Sequence, residues 1–209
     1  MKILVIGLGY VGTANAVLLS QYNEVTCFDQ DFLKSNNLIN GISPIEDKEV
    51  SEYLSSKKLN LKSAEKYPFA IDNFDFAIIA TPTNYEIETN KFDTSSIEQS
   101  LASIQKSNSN PTVIIRSTIP VGYIKKIQTK YDDLEIIFVP EFLREGKALK
   151  DSLHPSRIVI GSHSKKGKEF ARLLLDAAED KNVQTIYTNS TEAESSKLFS
   201  NAYLAMRVT

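Results

Sequence analysis

The stretch KILVIGLGYVG, residues 2–12, decides how the chain is read. Ile3 to Ile6 are continuously apolar and lead straight into Gly7, Gly9 and Gly12. A continuous apolar run, rather than an alternating one, marks a strand buried on both faces. The residues that follow, YVGTANAVLLSQY (10–22), favour helix. A G-x-G-x-x-G pattern alone is a weak signal. Set between a buried strand and a helix, it reads as the turn of a nucleotide-binding βαβ unit.

The next apolar run, EVTCFD (24–29), closes on Asp29, where such a unit keeps an acidic residue. In this reading Gly7 permits the tight turn, Gly9 lets the backbone approach a pyrophosphate, and Gly12 allows close helix–strand packing. Free N–H groups and the positive end of the helix dipole then meet the phosphates. Asp29 would accept hydrogen bonds from the adenosine ribose and repel a 2′-phosphate, which favours NAD over NADP. Lys34 works the other way, as a cation near the same position. Glycines serving only a tight βα turn would look the same singly; the strand, helix and acid in register with them select the cofactor reading. Cys27, the only cysteine, lies inside the second run. A lone cysteine invites a nucleophile reading. Here it sits at the adenosine end, away from hydride chemistry, and reads as a small buried hydrophobe.

Further runs follow: DFAIIA (75–80), TVIIRS (112–117), EIIFVP (135–140), RIVIG (157–161) and VQTIYT (183–188). Between them lie helical patterns, among them DTSSIEQSLASIQKS (93–107) and KKGKEFARLLLDAAED (165–180), the latter with Phe170, Leu173, Leu174 and Ala177 on one face. Strand and helix in alternation predict an α/β fold, a doubly wound, Rossmann-type, mostly parallel sheet with helices on both faces. Residues 31–74 are less regular, with one helix over 46–58 turning Val50 and Leu54 inward. Composition agrees: 209 residues, 42% hydrophobic, 24% charged and a net charge of -2 describe an ordinary globular chain without a nucleic-acid surface. One cysteine excludes a disulfide framework and suits a reducing compartment. The apolar start is too short and glycine-rich for a signal peptide or membrane span. A cytoplasmic protein with no membrane partner and no metal site is expected.

Open α/β sheets bind ligands outside the carboxyl ends of their strands. The residues there are TPTN (81–84), STIPVG (117–122) and PEFLREG (140–146). Glu141 and Glu145, four apart, would share one face of a helical turn. They read as an acid–base pair of the glycosidase kind or as one solvated face, the usual fate of such pairs. Thr118 reads as a helix cap with Pro120 in the first turn. STEAESSKLFSNAYLAMRVT (190–209) opens with Thr191 and Glu194 at capping-box spacing. It stays helix-favourable to its last residue, which predicts a chain cut within a longer one or, alternatively, a fraying terminal helix. Lys197 and Asn201 share one face of it, a solvent face for a generic helix; Leu198, Ala202 and Ala205 form the stripe expected to seat it. His154 and His163 have no evident acid partner and are given no role.

GLGYVG, TPT, RSTIPVG, PEFLREGKAL, LHPSRIVIG and EAESSKLFSNAYLA, in this order and spacing, resemble the UDP-glucose/GDP-mannose dehydrogenase family over essentially the whole chain. EFLREG and LHPSRIVIG look more like its UDP-glucose branch. Val139 and Tyr123 depart from the family pattern, where asparagine and threonine are frequent. The resemblance implies that Gly7, Gly9, Tyr10, Val11 and Gly12 line the NAD pyrophosphate and that Asp29 and Lys34 hold the ribose. It implies that Thr83, Thr118 and Glu145 contact the cofactor towards its nicotinamide. Phe142, Leu143, Arg144 and Glu145 would line the sugar nucleotide; Glu141 would be the acid/base, Lys197 would stabilise oxyanion character, and Asn201 would be its polar neighbour. It further implies that the C6 alcohol of UDP-glucose is oxidised twice with two NAD, through a thiohemiacetal and a thioester on a cysteine, to UDP-glucuronate. That cysteine belongs to a glycine-rich segment downstream of this sequence. Residues 1–190 are therefore expected to be the NAD-binding domain and 191–209 the start of a central helix, with the UDP-binding domain outside this chain. The chain would bind NAD without turning over UDP-glucose, and the full-length protein would be a homodimer. A GDP-mannose or UDP-N-acetylmannosamine dehydrogenase, or a naturally short NAD-binding module, is the alternative.

Overall fold

A computed structural model describes residues 1–66, 73–86, 88, 91–106 and 110–208. Residues 67–72 of the less regular stretch, the last residue of the 93–107 pattern and Thr209 lie outside the described residues. The first βαβ unit is β1 (Lys2–Ile6), α1 (Tyr10–Ser20) and β2 (Glu24–Phe28). It is followed by α2 (Phe32–Ile39), α3 (Lys48–Ser56) and β3 (Leu61–Ser63). Next come β4 (Phe76–Ile79), a hairpin of β5 (Tyr85–Glu86) and β6 (Lys91–Phe92), α4 (Ser95–Gln105) and β7 (Thr112–Ile115). The remainder is α5 (Tyr123–Gln128), β8 (Ile136–Phe138), α6 (Ala148–Leu153), β9 (Ile158–Ile160), α7 (Lys165–Ala177), β10 (Thr185–Tyr187) and α8 (Ser190–Val208).

Six strands form one parallel sheet in the order β3-β2-β1-β4-β7-β8. The order reverses between β1 and β4, and such a switch point opens a crevice at the strands' carboxyl ends. The two-residue period of the strands sorts the core into two layers. Ile3, Val5, Val25, Cys27, Phe76 and Ile78 pack on the side of α1, α6 and α7. Leu4, Ile6, Phe28, Ala77, Ile79, Val113 and Ile115 pack on the side of α4 and α5. Helix α1 is buried from Gly12 to Ser20 because α3, α6 and α7 cover the face turned away from the sheet. Cys27 has no exposed surface and is free.

Several expectations change. The runs at 157–161 and 183–188 pair with each other as parallel β9 and β10; the tie from β9 to the main sheet is the Gly161 N–H donating to Phe138 O at 2.9 Å. Strand β3 lies in the stretch 31–74 read as less regular, and the β5–β6 hairpin in one given no element. Glu141 and Glu145 do not share a helical turn, because residues 140–144 are irregular and α6 begins only at Ala148. Thr118 caps no helix: Pro120 to Tyr123 form a turn with Gly122 at φ 88, and α5 starts after it. The cap of α8 is Asn189, whose Oδ1 accepts from the Glu192 N–H at 3.0 Å, while Glu192 reaches back to the Thr188 hydroxyl. The cap is thus two residues earlier than Thr191, and Glu192 bonds the preceding hydroxyl instead of closing a capping box. Nor do Leu198, Ala202 and Ala205 seat α8; Ala202 and Ala205 are exposed, and the buried face is Ala193, Glu194 and Lys197. Among the described residues no helix is long and apolar enough to cross a membrane, and no group of three His, Cys, Asp or Glu side chains could hold a metal ion.

Candidate functional site

A cleft of about 720 Å³ opens at the switch point, over the carboxyl ends of β1, β4 and β7. Its floor is the glycine turn. Gly7 stands at φ 88, and a Cβ there would lie 2.7 Å from Ala80 O, so both the left-handed backbone and the neighbouring strand demand glycine. A Cβ on Gly12 would lie 1.7 Å from Gly7 O; its absence lets α1 start directly under the turn. A Cβ on Gly9 would meet nothing within 4 Å, so Gly9 presents bare backbone to the cleft. Gly9 is also the N-cap of α1, with no capping side chain and no acid in the first turn. The first-turn N–H groups are left for a ligand, and an anion is what they and the helix dipole suit.

Asp29 sits at the end of β2 and the rim of this floor. Its Oδ2 accepts from the Leu8 N–H at 2.6 Å and its Oδ1 from the Asp31 N–H at 2.9 Å. It therefore braces the glycine turn itself. A carboxylate offers about four acceptor sites, so capacity for ribose hydroxyls remains. The residues present fit a dinucleotide: bare backbone at Gly9, an uncapped helix start and an acid placed beyond them.

Tyr10, Val11, Lys34, Thr83, Thr118, Glu141, Leu143, Arg144 and Glu145 line the same cleft; Gly12 lies buried below it. At its inner end the Ser117 hydroxyl donates to Thr81 O at 2.6 Å, and the Ser96 hydroxyl lies 2.9 Å from the Thr81 hydroxyl, which ties the loops after β4 and β7 together. Lys197, on α8, lines neither cavity itself but meets the cleft residue Glu141 from behind. Its Nζ donates to Glu141 O at 2.7 Å and to Glu141 Oε1 at 2.9 Å, with the side chains only 9% and 11% exposed. The solvent-face reading of Lys197 is thus overturned. Asn201, one turn on, is exposed and lines neither cavity described here.

A second cavity of about 430 Å³ shares Arg116, Glu141, Leu143 and Arg144 with the cleft and adds Phe142 and Arg157. The Arg157 guanidinium stands 4.2 Å over the Phe142 ring. Arg144 is held off by Asp151, with Nε–Oδ2 at 3.0 Å and Nη2–Oδ1 at 2.5 Å, a pair that keeps the Asp151 carboxyl below its usual range. His154 does have acid partners, Asp180 at 3.2 Å and Glu179 at 3.4 Å, but it is exposed at the cavity margin.

Two residues of this region escaped sequence reasoning. Arg116 is 8% exposed, and its Nε finds no partner among the described residues. Burial pulls its pKa down to about 10 against the opposing pull of Glu141. A charge closing the otherwise apolar run TVIIR was the available signal. Glu194 has no exposed surface; its Oε2 accepts from the Gly122 N–H at 2.6 Å and its Oε1 from the Ile124 N–H at 2.8 Å.

Comparison with known proteins follows the same lines. The family model described as UDP-glucose/GDP-mannose dehydrogenase family, NAD binding domain, matches residues 1–179. UDP-glucose 6-dehydrogenase of Campylobacter jejuni is 50% identical over 210 residues, covering 100% of this chain and 53% of that protein. UDP-glucose 6-dehydrogenase of Streptococcus pneumoniae is 44% identical, covering 100% and 54%. Among solved structures, GDP-mannose dehydrogenase of Pseudomonas aeruginosa superposes with a TM-score of 0.85 at 25% identity, over 100% of this chain and 51% of that one. A UDP-glucose dehydrogenase of Pyrobaculum islandicum gives 0.81 at 27% identity, over 98% and 50%. The chain spans about half the length of the curated relatives it matches.

Proposed function

The chain belongs to the UDP-glucose/GDP-mannose dehydrogenase family, matching its NAD-binding domain, and on that premise we propose that it is the cofactor-binding half of a UDP-glucose 6-dehydrogenase. The observation that carries the proposal is the buried Lys197–Glu141 pair, 2.9 Å apart, whose Glu141 lines the dinucleotide cleft. An ammonium and a carboxylate held together beside a cofactor cleft suit the deprotonation of an alcohol.

Bound NAD supplies a hydride acceptor. The chain does the rest of what falls to this half. Backbone at Gly9 and the first-turn N–H groups of α1 hold the pyrophosphate, and Asp29 the ribose. Thr83, Thr118 and Glu145 line the way to the nicotinamide. The Lys197 ammonium faces the C6 oxygen and offsets its negative charge as the alcohol proton leaves. The Glu141 carboxylate serves as the base, for the alcohol and later for a hydrolytic water. The four-electron oxidation also needs a thiol to hold the aldehyde. Cys27 is not that thiol: it is fully buried in β2, and desolvation pushes it up to about 12. It is the only cysteine in the 209 residues, so these residues alone are proposed to bind NAD without steady turnover. The full-length protein is proposed to act in the cytoplasm as a homodimer built on the helix that begins with α8, whose Phe199, Tyr203, Leu204 and Met206 are exposed.

The test is a substrate panel on the full-length gene product. UDP-glucose should yield two NADH per sugar, with NADP a poor replacement. GDP-mannose or UDP-N-acetylmannosamine as the better substrate would overturn the assignment. Asp29→Ala should weaken NAD binding by roughly ten- to a hundredfold, since a good charge-assisted hydrogen bond contributes about 1.5–3 kcal/mol.

A further inference from the structure

Helix α8 carries Lys197 and, one turn earlier, Glu194 on a neighbouring position of the same face. Lys197 reaches to the loop after β8 through Glu141. Glu194 reaches in another direction, to the loop after β7, where its two oxygens take the Gly122 and Ile124 N–H groups at 2.6 and 2.8 Å. That loop begins with Ser117 and Thr118, which line the cleft. Ser117 in turn is bonded to Thr81, on the loop after β4. Three strand-end loops are therefore joined to one helix, and Glu194 is the joint between the helix and the Thr118 loop.

We propose that Glu194 is a positioning residue for the reaction: its carboxylate fixes α8 to the Thr118 loop so that Lys197, Glu141 and the inner wall of the cofactor cleft keep one geometry. The inference rests on the function proposed above. Capping of short α5 alone would not call for this side chain. A serine or asparagine satisfies helix N–H groups without burying a charge. A carboxylate with both oxygens engaged fixes orientation as well as distance, in charge-assisted bonds about twice as strong as neutral ones. Gly122 serves the same end. Nothing lies within 4 Å of its missing Cβ, so glycine is required there for its φ of 88, the conformation in which its N–H meets Glu194.

The test compares wild type, Glu194→Gln and Glu194→Asp in the full-length gene product. Gln keeps the shape but sets an amide N–H against one of the two backbone donors; Asp keeps the charge and shortens the reach. Turnover of UDP-glucose, counted per NAD-binding site, should fall at least roughly tenfold in Glu194→Gln, because an ångström of misplacement costs on the order of a hundredfold. The Kd for NAD should stay within about threefold, since Asp29 and the glycine turn are untouched, and Glu194→Asp should fall between. Unchanged turnover per site overturns the inference. Hydrogen exchange on the same proteins reads the joint without activity. In wild type, segments 117–124 and 190–201 should open as one unit, and Glu194→Gln should loosen both. Loosening of 117–124 alone, or independent opening in wild type, overturns the inference even where a variant fails to fold. A wild type inactive on every sugar nucleotide overturns the proposed function, while the exchange experiment still decides the role of Glu194.

Discussion

The substitution Lys197→Met tests whether the Lys197–Glu141 pair is the buried unit described. Nζ and Oε1 are 2.9 Å apart and each side chain is about a tenth exposed. At an effective dielectric near 20, the gross attraction at 2.9 Å is about 6 kcal/mol. Desolvation of the two ions offsets most of it, so the pair's net contribution is small. Breaking the pair is another matter. Lys197→Met would leave the Glu141 carboxylate enclosed without a counter-charge and its carbonyl without a donor, at a cost of about 3–5 kcal/mol. For a domain of this size that is roughly 6–20 °C in Tm. Glu141→Gln leaves Lys197 an acceptor and should cost about 1–2 kcal/mol. The double variant strands no charge, so its loss should fall short of the sum by about 2 kcal/mol. Urea titrations of the four proteins at neutral pH, without cofactor, give the cycle. Lys130→Met is the control: its bond to Glu98 is as short, 2.7 Å, but the side chains are 58% and 37% exposed. It should cost less than about 1 kcal/mol. If Lys197→Met costs no more than this control, or the cycle is additive within about 0.5 kcal/mol, the pair is solvated and the site as described is wrong.

Gly12→Ala puts a methyl 1.7 Å from a backbone oxygen that cannot yield, so it should cost more than about 3 kcal/mol or prevent folding. Gly9→Ala, at φ -78 with open space around it, should change stability by less than about 1 kcal/mol yet lose NAD affinity by at least roughly tenfold; urea titration and NAD titration of the two variants read the contrast. The Cys27 thiol, raised to about 12 by burial, should react with a disulfide reagent at pH 8 only as fast as the protein opens; labelling of the native protein at the rate of a free thiol would refute its burial. Burial raises the Glu194 carboxyl above its ordinary 4.5, with the two backbone N–H groups and Lys125 pulling the other way. A carboxyl raised on folding binds its proton more tightly in the native state, so its contribution to stability is greatest below 4.5 and is lost as pH rises through the raised value. Wild type should accordingly lose stability relative to Glu194→Gln as pH rises from 4.5, and a relative gain instead would contradict the shift.

The parts of the molecule legible in the sequence are those set by local periodicity or by backbone need. Ile3 to Ile6 read as a doubly buried strand because no polar residue interrupts them, and they are the centre of the sheet. Gly7, Gly9 and Gly12 read as a phosphate turn because each glycine answers a different steric demand, and the Cβ distances separate those demands in the same way. The edge was less legible. Strand β3 is three residues long and half-buried, too short to show a period, and β9 and β10 have the composition of sheet strands but pair with each other. Composition reports that a strand is buried, not which strand it lies beside.

The terminal helix shows why the rest of the site could not be read locally. Thr191 and Glu194 have capping-box spacing, and by the local rule Glu194 should turn back on its own helix. Asn189 already holds the cap and Glu192 the acid's place. Glu194 is therefore free to bond the backbone of another loop, a choice decided by residues 122 and 124 and invisible in the helix's own sequence. Lys197 follows the same logic. A lysine on a helix reads as a solvent contact until a partner outside the helix removes it from water, and Glu141 is more than fifty positions away. The apolar stripe misled for the converse reason: Leu198, Ala202 and Ala205 look like the seating face, but the sheet takes Ala193 and the loops take Glu194 and Lys197. A helix that spends its buried positions on a carboxylate and an ammonium forgoes apolar burial there. What it gains is position, because each ion is held by partners on a different strand-end loop, and a site that must hold a cofactor and a reacting oxygen in register needs position more than it needs burial.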